Sequence, residues 1–370
     1  MMFGYDLGID LGTSNVVITV PNKGVVINEP SYVAYNTETE KMLYAGRRAY
    51  YLEGREPAGI TVMQPLRNGV ISSYNMTQQM IRYFISRVIK KSIFKPRVVA
   101  SVPALATDVE KRTIVSVIIS AGARSVCLVE EPLCAAFGAG VDLLQPNGAF
   151  VINIGGGTTD MAVVSQGTMS QCENVKIAGN TFDEEIAKFI KEKYDVLVGI
   201  RTAEEIKKQI GSAIPREDKI TMTVKGRSVK DGMPTTVEVS SSEIYHCLKP
   251  LLQEIVAAAQ IMFERTSPQL VADIVSSHII LTGGSAEMYG IDKLFAQELD
   301  VDVEVAPFPS LCAGKGATVA LNKMRLLDSY GYRFKTKEEV RIRLFIIIMA
   351  SAREKQARHS ASVCVQGATV

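Results

Sequence analysis

Short apolar runs that end in glycine-rich turns alternate with amphipathic stretches along most of the chain. The first run, residues 5–11, carries Asp10 and turns through Gly12-Thr13-Ser14-Asn15 into a second apolar run, residues 16–20. Apolar runs of this length, separated by turn residues, are typical of β-strands. The pattern therefore predicts a β-hairpin near the start of the chain.

The same pattern returns much later. Residues 149–154 form an apolar run that carries Asn153, and Gly155-Gly156-Gly157-Thr158-Thr159 turns it into another run, residues 161–164. A repeated strand-turn-strand unit indicates an internal duplication. We therefore expect two similar halves that face one another.

Helical and strand-like patterns alternate around these hairpins. Thr107 and Glu110 form the capping-box pattern, in which each residue satisfies a free backbone N–H, so a helix is predicted over 108–121. Equivalent pairs, Thr181 with Glu184 and Thr202 with Glu205, predict helices over 182–194 and 203–212. The remaining predictions are strands at 97–102, 125–129 and 278–281, short strands within 219–239, and helices at 133–140 and at 240–265, the last bent at Pro250.

Two segments interrupt the duplicated pattern, so the predicted fold class is α/β, with two duplicated lobes, a smaller subdomain inserted in each, and a cleft between the lobes. The first core lobe is assigned to 1–32, 76–145 and 315–335, with 33–75 as its insertion. The second core lobe is assigned to 146–182 and 246–314, with 183–245 as its insertion. The tail, 336–370, is left unassigned.

Composition narrows the function classes. The net charge of +2 comes from 41 basic and 39 acidic residues that are well mixed, which argues against nucleic acid as a partner. The start of the chain lacks a secretory signal pattern, and the longest apolar run, residues 344–350, is far shorter than the roughly 18 residues of a spanning helix. We expect a cytoplasmic protein whose membrane contact, if present, is peripheral. Widely spaced cysteines without a CxxC pattern are expected to be small core residues.

The two hairpin turns are the main chemical signal. Glycine and threonine at such turns let backbone amides approach an anion closely, and two facing turns would hold a triphosphate from both sides. Asp10, just before the first turn, is placed to hold Mg²⁺ through water. The alternative is two ordinary hairpins, but the repetition and a third glycine pair at Gly283-Gly284 disfavour it.

These motifs resemble those of the actin-like ATPase superfamily. Asp10-x-Gly12-Thr13 is similar to its first phosphate loop, residues 154–159 to the second, and residues 281–285 to the adenosine motif. The stretches 28–31, 94–99, 129–132 and 313–317 are similar to the rod-shape-determining MreB/Mbl family of bacterial actins. The resemblance runs from about residue 5 to 330.

The resemblance implies an actin-like fold that binds ATP and Mg²⁺ in the cleft. Glu131 would orient or deprotonate the attacking water, with its neighbour Glu130 as an exposed bystander. Asp10 would be the metal ligand. The implied nucleotide-binding residues are Thr13, Ser14, Asn15, Gly156, Gly157, Thr158, Glu204, Glu205, Ile206, Lys207, Gly283, Gly284, Ser285 and Ala286. Without the family, Glu204 and Lys207 would be interpreted as a solvated ion pair.

One position departs from the family. Its second phosphate loop usually begins with Asp, whereas this chain has Asn153, which cannot neutralise Mg²⁺ or act as a base. Asp160, at the end of the loop, matches a position where the family carries an acid. A slow ATPase, or a scaffold that binds ATP with little hydrolysis, is expected.

A basic and apolar segment precedes the strand at 97–102. In the family the matching loop inserts into the bilayer, so Ile93 and Phe94 would enter the membrane while Lys90, Lys91 and Lys95 meet anionic headgroups. The alternative is that Phe94 packs into the core beneath the strand.

Taken together, the resemblance implies a filament-forming cytoskeletal protein that determines rod shape by organising cell-wall elongation at the inner membrane face. Its partners would be further copies of itself, an anionic membrane surface and membrane proteins of the elongation machinery. A sugar kinase or chaperone ATPase of the same fold is the alternative, but the chain shows neither a sugar-binding set nor a substrate domain after residue 330. The tail after Arg343 does not resemble the family, and no function is assigned to it.

Overall fold

The computed structural model describes residues 6–89, 94–143, 145–218 and 220–339. Its strands are β1 Asp6–Leu11, β2 Asn15–Val20, β3 Gly24–Pro30, β4 Val33–Asn36, β5 Met42–Ala45, β6 Ile60–Met63, β7 Leu66–Arg67, β8 Val70–Ile71, β9 Arg97–Val102, β10 Ser125–Glu130, β11 Ala149–Ile154, β12 Thr159–Ser165, β13 Thr168–Val175, β14 Val196–Leu197, β15 Thr221–Ser228, β16 Pro234–Ser240, β17 Ile279–Thr282, β18 Val303–Val305 and β19 Lys335–Thr336. Its helices are α1 Arg47–Tyr50, α2 Tyr74–Val88, α3 Asp108–Ala121, α4 Glu131–Ala139, α5 Gly179–Tyr194, α6 Ile200–Ile210, α7 Ser241–Arg265, α8 Pro268–Ser276, α9 Ile291–Leu299, α10 Cys312–Asn322 and α11 Met324–Ser329. Short 3₁₀ helices cover Gly284–Glu287 and Pro309–Leu311.

Two mixed sheets share one five-stranded topology, to which the first sheet adds β19, antiparallel to β10, at its edge. In the first, β1, β2 and β3 form an antiparallel meander, and β9 and β10 continue the sheet parallel to β1. In the second, β11, β12 and β13 form the meander, and β17 and β18 continue it parallel to β11. The predicted α/β class and the predicted duplication are both confirmed.

Smaller sheets lie within the two predicted insertions. β4, β5 and β6 form a three-stranded sheet within 33–75, and β14, β15 and β16 form another within 183–245. The lobe boundaries themselves stay a prediction.

A hydrophobic core is shared between the two large sheets. It contains α4 and α10 together with Val99 and Val129 of the first sheet and Val151 and Ala162 of the second. The two helices touch closely, since a Cβ added at Gly138 would lie 1.9 Å from the carbonyl oxygen of Cys312. The core therefore joins the two lobes beneath the cleft.

Three cysteines of the described chain are buried, namely Cys127, Cys134 and Cys312, as expected of small core residues. Cys172 and Cys247 are only partly buried, and Cys364 lies outside the described residues. No described helix is both long and apolar enough to cross a bilayer.

Helix starts test the capping predictions. The Thr107 and Glu110 box is present and α3 begins at Asp108 as predicted. The other two predicted caps are wrong, because Thr181 and Thr202 lie inside helices that begin at Gly179 and Ile200. The first turn of α5 is fixed instead by hydrogen bonds to the second hairpin turn. The backbone N–H groups of Gly179 and Asn180 donate to the carbonyl oxygens of Gly155, at 3.1 Å, and Gly156, at 2.7 Å.

Candidate functional site

The two hairpin turns meet at a cavity of about 600 Å³ between the lobes. Most of the residues predicted for the site line this cavity. They are Asp10, Thr13, Ser14, Asn15, Glu131, Gly156, Gly157, Thr158, Glu204, Lys207, Gly283, Gly284 and Ser285, joined by Asn153.

The turns approach one another so closely that glycine is required in the second. A Cβ added at Gly156 would lie 1.9 Å from Ser14 Oγ, and one at Gly157 would lie 2.5 Å from Thr13 Oγ1. No described residue accepts a backbone hydrogen bond from the N–H groups of Thr13, Ser14, Gly156 or Gly157. Free amides on two facing turns form a cradle that suits a phosphate chain.

Asp10 is the buried carboxylate of the first turn. It is the second-last residue of β1, and Ser101 Oγ at the end of β9 donates to its Oδ1 at 2.6 Å. Burial raises the pKa of Asp10 to about 6, while the Ser101 hydrogen bond opposes that rise.

Asn153 holds the corresponding place in the second lobe. Its Oδ1 accepts a hydrogen bond from Thr282 Oγ1 at 3.0 Å, and its Nδ2 donates to Glu131 Oε1 at 2.7 Å. Burial, followed by the charges of Asp160 and Asp10, raises the pKa of Glu131 well above its usual range, and the Asn153 amide opposes this. Asn153, the residue that differs from the family pattern, is thus hydrogen-bonded directly to the predicted catalytic carboxylate of Glu131.

Two neighbouring acids, Glu130 and Asp160, are bonded to other protein groups. The sequence predicted that Glu130 is an exposed bystander, and this is wrong. Glu130 accepts from Tyr332 Oη at 2.8 Å and pairs with Lys111 at 3.3 Å. Asp160 accepts from Ala104 N, Asn174 Nδ2 and Thr158 Oγ1, at 3.0, 3.0 and 2.9 Å. Both oxygens of Asp160 are therefore committed to protein donors. Among the described residues, no group of three His, Cys, Asp or Glu side chains is arranged to hold a metal ion.

Glu204 and Lys207 both line the cavity but do not pair with each other. Lys207 Nζ contacts Asp183 Oδ1 at 2.8 Å and donates to the Gly179 carbonyl oxygen at 2.7 Å. Glu204 accepts from Lys208 Nζ at 2.6 Å and from Tyr50 Oη at 2.8 Å. The alternative of a solvated Glu204–Lys207 ion pair is wrong.

Three predicted nucleotide contacts lie off the cavity wall. Glu205 is exposed, Ile206 is fully buried in the hydrophobic core of the second lobe, and Ala286 is buried. The third glycine element does lie against the second turn. Gly283 has a φ of 87°, a Cβ there would lie 2.2 Å from the Ile154 carbonyl oxygen, and Ser285 Oγ donates to the Gly155 carbonyl oxygen at 3.0 Å.

The contact between Tyr50 and Glu204 joins the two insertions next to the cavity, which Glu204 lines. Arg201 lies over the Tyr50 ring, 4.7 Å from its centroid, and over the Tyr51 ring at 5.4 Å. This clasp brings α1 of one insertion onto α6 of the other.

The predicted membrane segment is only partly within the described chain. Phe94 is 58% exposed and Lys95 is exposed, so packing of Phe94 into the core is wrong. Lys90, Lys91 and Ile93 lie outside the described residues.

Sequence reasoning missed several polar residues of the site, namely Tyr50, Ser101, Asn180 and Asp183. Ser101 could have been found, because the carboxyl ends of adjacent parallel strands meet at one edge of a sheet and Ser101 is the second-last residue of β9, the strand next to β1. Asn180, which accepts from Ser14 Oγ at 3.2 Å, joins the two lobes and carries no local signal.

Comparison with known proteins gives consistent matches. The sequence model of the family described as MreB/Mbl protein matches residues 4–329. The cell shape-determining protein Mbl of Bacillus cereus is 43% identical over 333 residues, which cover 90% of this chain and 100% of that protein. MreB5 from Spiroplasma citri, known from two crystal structures, is 33% identical in sequence to this chain. The form bound to AMPPNP gives a TM-score of 0.84 and covers 90% of this chain and 100% of that one; the form bound to ADP gives 0.83 and covers 87% and 97%.

Proposed function

Because this chain belongs to the MreB/Mbl family, we propose that it is a filament-forming bacterial cytoskeletal protein that determines cell shape. Relatives named as cell shape-determining proteins support this role over nearly the full chain. Family membership also removes the sugar kinase and chaperone interpretations. Like-with-like filaments are the assembly that this function requires.

The nucleotide of this filament is ATP, bound with Mg²⁺ in the cleft. The observation that carries the proposal is the pair of facing turns with free backbone amides, one from each duplicated lobe. The relatives from Spiroplasma citri bound to AMPPNP and ADP support it. Asp10 suits an outer contact to Mg²⁺, a cation that keeps its water ligands and neutralises phosphate charge. Lys207 and Glu204 would flank the ribose and base.

Hydrolysis is slow and depends on Glu131. Its carboxylate lines the cavity at the start of α4 and can accept a proton from an attacking water. The amide of Asn153 adds no negative charge for the cation, so metal binding is weaker than with an aspartate there. A scaffold that binds ATP with little turnover is the second candidate, and Asn153 is the observation that favours it.

The filament lies on the inner face of the cell membrane, where it meets membrane proteins of the cell-wall elongation machinery. Exposed Phe94 beside Lys95 supports this placement. One or two inserted apolar side chains at about 1.5 to 3 kcal/mol each, and about 1 kcal/mol per nearby cation, give weak binding for a monomer. Many copies along one filament face gain by multivalency, so polymerisation and attachment reinforce one another.

Electron microscopy of the purified protein with ATP and Mg²⁺ on anionic lipid tests the proposal. We expect paired filaments or sheets on the lipid. The chain with Gly156→Ala, which would obstruct the facing turns, is the matched control and should give far fewer filaments. Monomers under every nucleotide and lipid condition would contradict the proposed function.

A further inference from the structure

We propose that Thr282 is a positioning residue for Glu131 and acts through the side-chain amide of Asn153. The inference rests on the proposed nucleotide hydrolysis and deepens it, because it concerns how the catalytic carboxylate is held. Thr282 would never touch the reacting atoms itself.

The three side chains form a continuous hydrogen-bonded relay. Thr282 Oγ1 donates to Asn153 Oδ1 at 3.0 Å, and Asn153 Nδ2 donates to Glu131 Oε1 at 2.7 Å. Thr282 is fully buried, Asn153 is 3% exposed, and the two residues are directly opposite each other in the parallel pairing of β11 and β17. Burial shields the Thr282 hydroxyl from bulk water, and its other acceptor, the Ile152 carbonyl oxygen, lies farther away at 3.5 Å.

The direction of the relay follows from the chemistry of an amide. The oxygen end can only accept and the nitrogen end can only donate, so the two ends are not interchangeable. By donating to Oδ1, the Thr282 hydroxyl turns Nδ2 toward Glu131. A rotated amide would place Oδ1 against the Glu131 carboxylate oxygen, which repels it.

Comparison with the first lobe shows why the orienting hydroxyl matters when residue 153 is an amide. There Ser101 Oγ donates to Asp10 Oδ1 at 2.6 Å in the equivalent place. The two oxygens of a carboxylate are alike, so Ser101 fixes Asp10 without selecting one end of it. In the second lobe the acid is replaced by an amide, and the hydroxyl then decides which group faces Glu131.

The relay leaves one oxygen of Glu131 available. No described residue donates a hydrogen bond to Oε2, while Oε1 is held by Asn153. Since Glu131 lines the cavity, Oε2 is the atom that can accept from a water there. Thr282 also directly precedes Gly283 on the cavity wall, so this relay links the segment that resembles the adenosine motif, residues 281–285, to Glu131.

Two substitutions separate the hydroxyl from the space it fills. Thr282→Val keeps the shape and removes the hydroxyl, and Thr282→Ser keeps the hydroxyl. Thr77→Val is the control, because Thr77 lies on α2 of the first lobe, is equally buried and donates to the backbone carbonyl oxygens of Pro65 and Ser73. Each variant is measured for ATP affinity, for single-turnover phosphate release, and for side-chain geometry in a crystal structure.

We expect Thr282→Val to slow phosphate release about tenfold, the scale of a misplaced catalytic group, with ATP affinity nearly unchanged. Thr282→Ser should restore the rate, Thr77→Val should leave it unchanged, and the valine variant should lose the Asn153–Glu131 hydrogen bond. Should the valine variant not fold, Thr282→Ala removes the same hydroxyl with less crowding.

An unchanged rate in Thr282→Val, an equal loss in Thr282→Ser, or an intact Asn153–Glu131 hydrogen bond would overturn the inference. A wild-type chain that does not bind ATP would instead overturn the proposed function. If the wild type binds ATP but releases no phosphate, the crystal geometry of the valine variant alone decides.

Discussion

Asp10 and Asn153 occupy equivalent positions in the two lobes of the molecule. Each is the second-last residue of the first strand of its meander, and each accepts a hydrogen bond from a hydroxyl on the parallel strand beside it. One is an acid and the other an amide. Their chemical difference, set within a shared geometry, gives the first prediction.

Restoring the acid should strengthen the binding of Mg²⁺. We expect Asn153→Asp to lower the Mg²⁺ concentration needed for half-maximal phosphate release, because a second carboxylate then faces the cation. A Mg²⁺ titration of phosphate release measures this. Asn36→Asp adds the same charge at the end of β4, outside the cavity, where the side chain accepts from Glu38 N and Thr39 N of the following turn, and should leave the titration unchanged. If both variants titrate like the wild type, residue 153 does not sense the metal.

Closing the gap between the turns should abolish tight nucleotide binding. A methyl group at Gly156 would collide with Ser14, so Gly156→Ala should weaken ATP affinity by at least about tenfold, or about 1.4 kcal/mol. Gly199→Ala is the control, since nothing lies within 4 Å of a Cβ added there. Fluorescence titration with a labelled ATP analogue measures both. Equal affinities in the two variants would argue against phosphate binding at these turns.

Opening the clasp between the insertions should shorten the lifetime of bound nucleotide. Tyr50→Phe removes the hydroxyl that donates to Glu204 and keeps the ring beneath Arg201, so a loss of about 1 kcal/mol is expected. Labelled nucleotide should then dissociate about fivefold faster in stopped-flow measurements. Tyr44→Phe, in β5 of the same insertion, serves as the control. Unaltered dissociation in Tyr50→Phe would mean that this bond does not hold the cleft closed.

The buried carboxyl of Asp183 should make stability depend on pH. Burial raises its pKa from 3.8 to about 6, although Lys207 opposes this. A raised carboxyl pKa means that the folded state binds the proton more tightly. The contribution of Asp183 to the free energy of unfolding is thus fully present below about pH 4 and is lost as pH rises through about 6.

Asp183→Asn removes this titration. As pH rises from 4 to 7, the wild type should lose up to about 3 kcal/mol of unfolding free energy that the variant does not lose. Urea unfolding without nucleotide at several pH values measures the difference. A difference that stays constant with pH would contradict the raised pKa.

The exposed phenylalanine should contribute to lipid binding. We expect Phe94→Ser to reduce pelleting with anionic liposomes, and Ile93→Ser combined with it to abolish pelleting, since each side chain contributes about 1.5 to 3 kcal/mol when inserted. ATP binding should survive in both. Phe308→Ser is the control, because Phe308 is 69% exposed and lies at the start of the 3₁₀ helix before α10. Pelleting that is insensitive to residues 93 and 94 would refute the membrane proposal.

Local patterns predicted the parts of the fold that local physics controls. The strands at 97–102 and 149–154 and the helix at 108–121 match the structure residue for residue, because their apolar periods and the Thr107 cap act within the segment itself. Most of the residues predicted for the cleft from the turn chemistry and the family resemblance do line the cavity.

Distant contacts decided the rest. α5 begins before Thr181 because Gly155 and Gly156, more than twenty residues earlier, accept from its first N–H groups. Glu204 pairs with Tyr50 from the other insertion, and Lys207 with Asp183 one helix away. A single sequence carries no sign of such partners, so the polar network around the site could not be predicted.

The core shared by α4 and α10 also bears on how the molecule melts. Side chains from both large sheets pack against these two helices, and glycines at 138 and 316 leave no space for even a methyl group between them. Neither lobe can lose its structure without exposing apolar surface of the other. Heating should accordingly produce one calorimetric transition, not two, despite the bilobed architecture.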